Sequence, residues 1–393
     1  MPKSQKSDFP PPVLITTTEA LEALCTRLRA ETFVTVDTEF MRERTYWPEL
    51  CVIQLAGDHE VAVVDALAPG IDLAPLAPLF ADPAVVKVFH ACRQDIEIFV
   101  QLFKAVPTPL FDTQVAAMVA GFGDQVAYDG LVASLTGGHI DKAHRFSDWA
   151  ARPLSSSQTN YAAADVTHLR GVYTRLRTRL EQEDRLDWVG EEMAALGETS
   201  TYQADPEAMW ERLKPRTNNR RMLGVLRAIA AWREREAQRS NIPRGRMLKD
   251  EALLEIAATA PTDIEALARC RGITRGFAEG RMGTSLIAAI AEAQSQPDDA
   301  LPEAQAHRDG PRPSPALVSL LKVLLASKCE QHNVAAKLVA NAEDIDRLAL
   351  EDTPDVPALH GWRHDVFGAD AQALKSGNVA LAVDGKRIKL VKL

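Results

Sequence analysis

No run of about 18 consecutive apolar residues occurs in the 393-residue chain, so the sequence predicts no membrane-spanning helix and no membrane partner. The first residues, MPKSQKSDFPPP, carry lysines but lack the apolar stretch a secretory leader needs, and cytoplasmic residence is expected. Cysteine is scarce. Cys25, Cys51, Cys92, Cys270 and Cys329 are odd in number and never in CxxC spacing, which argues against a disulfide frame or a cysteine zinc site and predicts reduced thiols. A phosphate-cradling loop is also missing, because Gly121 and Gly123 in GFGD lack the further glycine and the helix signal that such a loop requires. Nothing points to an obligate protein partner.

What the chain does have is length and uneven charge. At 43.0 kDa and 46% hydrophobic residues it can hold two or three domains with ordinary cores. The net charge of -9 hides a division: residues 1 to 200 carry 17 Lys and Arg against 28 Asp and Glu, a net of -11. Residues 212 to 249 hold twelve basic residues against Glu234 and Glu236, a net of +10, which is an electrostatic footprint for phosphates. A solvated helix face would show the same run, so the footprint alone leaves both readings open.

Carboxylates in three short motifs carry the chemistry. FVTVDTEF is apolar and β-branched and reads as a strand, where Asp37 and Glu39 share one face about 6 to 7 Å apart. Asp95 sits early in a helix predicted over 93–103, after an apolar strand over 85–89. In YAAADVTHL, Tyr161 and Asp165 lie four apart in an Ala-rich helix and so share a face. Each motif has a bland reading: an edge pair, a helix-dipole complement, or a surface tyrosine-carboxylate hydrogen bond. Asp37 resists it most, because a carboxylate inside an apolar strand needs a strong partner to offset desolvation. Clustered carboxylates repel unless cations hold them, hard oxygen donors select Mg2+ or Mn2+, and a pair of such ions suits phosphodiester hydrolysis.

This constellation resembles the DEDD exonuclease superfamily in its tyrosine subclass; the histidine subclass would want histidine at position 160, which is Asn160. The flanking segments TYWPELCVIQL (45–55), FDTQ (111–114) and SDWAARPL (147–154) are similar to the bacterial ribonuclease D family. The resemblance implies that Asp37, Glu39 and Asp165 hold one metal, that Asp37 holds a second with Asp95 acting mainly through water, and that Tyr161 orients the attacking water. Glu39 would also meet the terminal 3′ hydroxyl. His90, without a His or Cys partner to form a metal site, reads as a packing or hydrogen-bonding residue, and Asp65 and Asp112 read as caps or turn formers.

Strand signals at 13–15, 33–40, 51–56, 61–65 and 85–89 with interspersed helices predict a mixed α/β unit, by resemblance a ribonuclease H-like exonuclease core, over residues 1–200. Helical periodicity follows at 223–235, 249–258, 263–268 and 283–293, predicting a five-helix domain over 203–293. A Pro/Asp/Gln/Ala-rich linker is expected over 294–315 and a further helical block over 316–393, with helices at 317–330 and 333–339 and a hairpin turning at Asp384-Gly385. Both helical blocks resemble the helicase and ribonuclease D C-terminal (HRDC) domain, the first closely through NNRRMLGVLRAIAAWREREAQRSNIPRGRMLKDEALLEIA.

The resemblance implies a metal-dependent 3′ to 5′ exoribonuclease that releases nucleoside 5′-monophosphates and trims 3′ ends of transfer RNA precursors and other small structured RNAs. Arg220, Arg221, Arg244 and Arg246 are the expected RNA-phosphate contacts. A DNA exonuclease, or a docking protein with a residual site, are the alternatives from other classes.

Overall fold

The structure, a computed structural model, describes residues 10–303 and 311–393. It divides into two compact units: residues 10–39, 50–199 and 311–393 form one, and residues 40–49 with 200–303 form the other. Composition predicted boundaries at 200, 294 and 316 instead. Such boundaries follow chain order, whereas the units follow contacts between residues far apart in sequence. Among the described residues no helix is long and apolar enough to cross a membrane.

The first unit is built on a six-stranded sheet of β1 (Val13–Ile15), β2 (Phe33–Met41), β3 (Glu49–Ala56), β4 (Val61–Asp65), β5 (Val86–Phe89) and β6 (Leu110–Asp112), in the order β1-β4-β3-β2-β5-β6. The pairs β1–β4, β2–β5 and β5–β6 are parallel and β3–β4 is antiparallel, which makes the sheet mixed. The three residues of β6 are too few for periodicity to reveal. Around the sheet lie α1 (Thr18–Leu28), α2 (Leu76–Phe80), α3 (Arg93–Phe103), α4 (Thr113–Val119), α5 (Tyr128–Thr136), α6 (Ser156–Gln182) and α7 (Leu186–Leu196). Helix α1 starts where Thr17 accepts from the Ala20 N–H, and it buries Leu21, Leu24, Cys25 and Leu28, one apolar stripe. Helix α6 opens with a Ser155–Gln158 capping box, which satisfies two otherwise orphaned N–H groups.

The second unit packs α8 (Arg220–Ser240), α9 (Arg244–Met247), α10 (Asp250–Thr259), α11 (Ile264–Ala268), α12 (Arg275–Glu279) and α13 (Arg281–Ser295) around Leu226, Ile229, Leu253, Ile256, Leu267, Leu286 and Ile290. Six helices stand where five were expected; α9 and α12, each a single turn, have no periodic signature. Helix α8 also runs longer than its apolar pattern, from an Asn219 cap to Asn241 in the left-handed region at φ 50°. Tyr46 and Trp47 belong to this unit: the Trp47 N–H donates to Asn241 Oδ1 at 3.0 Å and its indole N–H to the Gln238 carbonyl at 3.3 Å. The expected linker begins later than 294. Leu301 is buried, and residues 296–302 are held to α8 by Arg220, Arg221 and Arg227; residues 304–310 lie outside the described residues.

The C-terminal block returns to the first unit through α14 (Pro315–His332), α15 (Ala336–Val339) and α16 (Ala342–Leu350), a helix at Ala369–Lys375, and the hairpin β7 (Val379–Asp384) with β8 (Arg387–Lys392). Asn333 was expected to start a helix, but it ends α14 as a left-handed cap at φ 50°, and α15 begins only at Ala336. The hairpin turns on Gly385-Lys386, with Gly385 at φ 62°, while Asp384 pairs with Arg387 as the last ladder residue. This block packs against the core. Trp188 on α7 stacks on Trp362 with centroids 4.5 Å apart, the Arg363 guanidinium pairs with Glu192, and Arg185 donates to the Asn333 carbonyl at 3.1 Å. Gly121, at φ 79°, lies so close to Asn333 that any Cβ would collide with it, so its role is close packing.

Candidate active site

The candidate residues converge from three elements. Asp37 and Glu39 project from β2, buried Asp95 stands in the first turn of α3, and Tyr161 and Asp165 share one face of α6. Helix α6 is fixed against the sheet beside them. Thr35 Oγ1, two residues before Asp37, donates to the carbonyl of Val166, next to Asp165, at 2.8 Å. One turn on, Arg170 donates to the Ala56 carbonyl at 3.1 Å and lies 4.1 Å over the Phe33 ring. On the other side, Thr38 Oγ1 donates to Asp95 Oδ1.

Burial raises the pKa of all four carboxylates, and the charge of Asp37 adds to the rise of the other three. Burial pushes Glu39 up to about 9, with the charges of Asp37, Asp165 and Asp95 adding to the effect. Burial raises Asp165 to about 8, helped by Asp37, and raises Asp37 to about 7 against the pull of the Thr38 N–H. Asp95 is driven well above the usual carboxylate range by burial and then by Asp37. No cationic side chain among the described residues relieves any of the four. The Tyr161 hydroxyl faces the same group: burial raises its pKa first, then Asp165, Glu39 and Asp37, while Arg145 alone lowers it.

Hard oxygen donors with an uncompensated negative charge fit a hard divalent cation, which supplies the missing positive charge. Among the described residues no three His, Cys, Asp or Glu side chains close into a ready metal cage. One oxygen of Asp95 accepts from the Thr38 hydroxyl.

A cavity of about 440 Å³ opens onto Asp37, Tyr161 and Asp165, with His90, Tyr128, Lys142 and Arg145 on its other walls. His90 is a wall residue, its Nδ1 3.0 Å from Thr113 Oγ1 and its ring beside Tyr128. Asp112 caps α4 and also accepts from the Ala91 and Cys92 N–H groups, so one carboxylate fixes the starts of both α4 and α3. Asp65 does more than turn the chain: it pairs with Arg152 at 2.7 Å, and Arg152 further donates to the carbonyls of Trp149 and Cys51. Arg152 thereby sets the entry to α6. The SDWAARPL motif is visible in the sequence, but this clamp to partners about a hundred residues upstream is not.

The four arginines expected to meet RNA are placed differently from that expectation. Arg220 donates to the Leu301 and Pro302 carbonyls, Arg221 pairs with Asp298, and Arg244 pairs with Glu234. All three are engaged within the helical unit; the partners of Arg220 and Arg221 are remote in sequence, while Glu234 lies ten residues before Arg244. Of the four, only Arg246 is exposed with no partner among the described residues.

A family model described as a 3′-5′ exonuclease matches residues 12–181, and one described as an HRDC domain matches residues 222–290. With the mixed sheet and its converging carboxylates, these define the class: a 3′ to 5′ exonuclease carrying a helical HRDC domain. Ribonuclease D of Granulibacter bethesdensis is 69% identical over 392 residues, covering 100% of this chain and 99% of that protein. Ribonuclease D of Gluconacetobacter diazotrophicus is 67% identical over 391 residues and is covered in full. The crystal structure of Escherichia coli RNase D superposes with a TM-score of 0.79 at 30% identity, over 93% of this chain and 99% of that one. The chain belongs to the ribonuclease D family. It is a 3′ to 5′ exoribonuclease of a divalent-metal-dependent class that acts on RNA.

Proposed function

We propose that Asp37, Glu39, Asp95 and Asp165 hold two divalent cations, Mg2+ or Mn2+, and that Tyr161 positions the water that attacks the last phosphodiester of an RNA 3′ end. The observation that carries this is four buried carboxylates with raised pKa values and no cation relieving them, three of which also act on one tyrosine hydroxyl. When bound, the ions supply Lewis acidity and charge neutralisation at the scissile phosphate. Asp37, whose charge acts on each of the other three, is the natural shared ligand. Glu39 receives the terminal 3′ hydroxyl, and Tyr161 holds the water by its hydroxyl. The products are nucleoside 5′-monophosphates.

The substrates we assign are transfer RNA precursors and other small structured RNAs of the cytoplasm. In support, the Escherichia coli relative is described as an exoribonuclease involved in structured RNA processing. RNA is held by the basic run of the helical unit, where Arg212, Lys214, Arg216, Arg246 and Lys249 keep their charge free of carboxylate partners among the described residues. The C-terminal block is a second HRDC-like domain whose work is packing on α7. The test is purified protein with 3′- or 5′-labelled RNA and DNA strands in magnesium, manganese or chelator. Stepwise loss from the RNA 3′ end, abolished by chelator, is expected; preferential degradation of DNA, or activity in chelator, overturns the reading.

A further inference from the structure

The loop 137–149, between α5 and α6, forms the cavity wall facing the carboxylates, and it carries cations that the chemistry described so far leaves unused. Lys142 is neutralised by Asp129 at 2.8 Å. Arg145 has no carboxylate partner among the described residues, yet it lines the cavity near enough to act on the Tyr161 hydroxyl. Its neighbour Phe146 is 91% exposed, more than any other large apolar side chain among the described residues. A single exposed apolar residue is ordinary on a protein surface. An almost fully bared aromatic ring beside an unpaired guanidinium, at the mouth of a phosphodiesterase cavity, matches what a single-stranded nucleotide needs: a planar apolar face for a base and a cation for its phosphate. The Arg145 guanidinium lies 5.5 Å from the Phe146 centroid, so the two groups present as one patch.

We infer that Arg145 and Phe146 form a clamp for the single-stranded 3′ end. Arg145 contacts the scissile phosphodiester opposite the carboxylates, and Phe146 stacks on an upstream base. The inference rests on the carboxylate-site reading, because the position of that site defines which phosphate Arg145 faces. Arg145 is a fork donor suited to phosphate oxygens. It acts on every substrate that has the scissile bond, whereas Phe146 acts only where an upstream base exists.

The test uses the full chain, a dinucleotide with one phosphodiester, and a single-stranded ten-nucleotide RNA. Arg145→Ala is expected to lower kcat/KM about tenfold on both substrates, with partial recovery in Arg145→Lys. Phe146→Ala is expected to raise KM about tenfold on the ten-mer, leave kcat unchanged and leave the dinucleotide unaffected, with recovery in Phe146→Trp. Both side chains are exposed, so unchanged thermal melting is expected and distinguishes lost contact from lost fold. Wild-type kinetics in either alanine variant overturns the role given to that residue, as does an equal Phe146→Ala defect on the two substrates. Asp37→Asn, run alongside, reports separately on the carboxylate reading: full turnover in that variant removes the metal site while the ten-mer KM of the loop variants still decides whether residues 145 and 146 hold RNA.

Discussion

The hydroxyl of Tyr46 donates a hydrogen bond to Glu234 Oε1, 188 residues further along the chain. Glu234 is 1% exposed and also receives Arg244 and Gln238. Burial alone would raise its pKa, but the hydrogen bonds from Arg244 and Tyr46 hold it below the usual carboxylate range. Arg244→Ala leaves that charge buried with one partner fewer and is expected to destabilise the protein by about 2 to 3 kcal/mol, against about 1 kcal/mol for Tyr46→Phe. Denaturant unfolding of the full chain measures both, and an Arg244→Ala loss below that of Tyr46→Phe contradicts the network.

Asp37→Asn keeps the shape of the side chain and removes its charge. Hydrolysis should fall by several orders of magnitude with the fold intact, since losing metal catalysis costs several kcal/mol of barrier. Single-turnover assays with circular dichroism check this, and activity within about tenfold of wild type takes Asp37 out of the site.

Tyr161→Phe deletes one hydroxyl and leaves every carboxylate in place. Turnover at saturating RNA and magnesium should drop by about 10² to 10⁴, the usual worth of positioning and proton transfer. Unchanged turnover would reduce the hydroxyl to a structural group.

The raised carboxylates make stability depend on pH and metal together. Asp37, Glu39 and Asp165 titrate near 7, 9 and 8 in the folded chain, above their ordinary 3.8, 4.5 and 3.8. Below those ordinary values both states are protonated and nothing is lost. As pH rises the unfolded chain ionises first, so the metal-free fold loses stability from about pH 4 up through the folded values. A divalent cation binds the ionised form, so its stabilising effect should grow across the same window. Thermal melts in chelator and in magnesium from pH 5 to 9 test this; curves that stay parallel would show that the carboxylates do not bind the metal.

Charge reversal separates the arginines of the helical unit. Arg246→Glu should weaken RNA binding and lower its salt slope by about 0.7, the contribution of one single-strand phosphate contact. Arg220→Glu removes donors to the Leu301 and Pro302 carbonyls and should lower the melting temperature with little effect on the salt slope. The opposite pattern would return Arg220 to the RNA surface.

What the sequence made legible was local. Two carboxylates on alternate strand positions, a helix over 93–103 and a tyrosine four residues before an aspartate need only the periods of strand and helix, and all three stand where expected. Non-local partners were not legible. Lys87 lies in an apolar strand and is fully buried, because its ammonium donates to the carbonyls of Asp82, Val85 and Thr108. Arg152, Gly121, Arg220, Arg221 and Arg227 likewise take their meaning from residues dozens to hundreds of positions away. A basic run shows its charge in the sequence but not which charges already have partners.

The stack of Trp188 on Trp362 has a consequence for how this chain is made. Helix α7 leaves the ribosome long before the block that covers it, and at about 5 to 20 residues per second the wait lasts on the order of ten seconds or more. During that time the Trp188 face, Glu192 and the tight surface at Gly121 stand bare, so a translation product broken off within the helical unit carries the whole carboxylate set on an unfinished core.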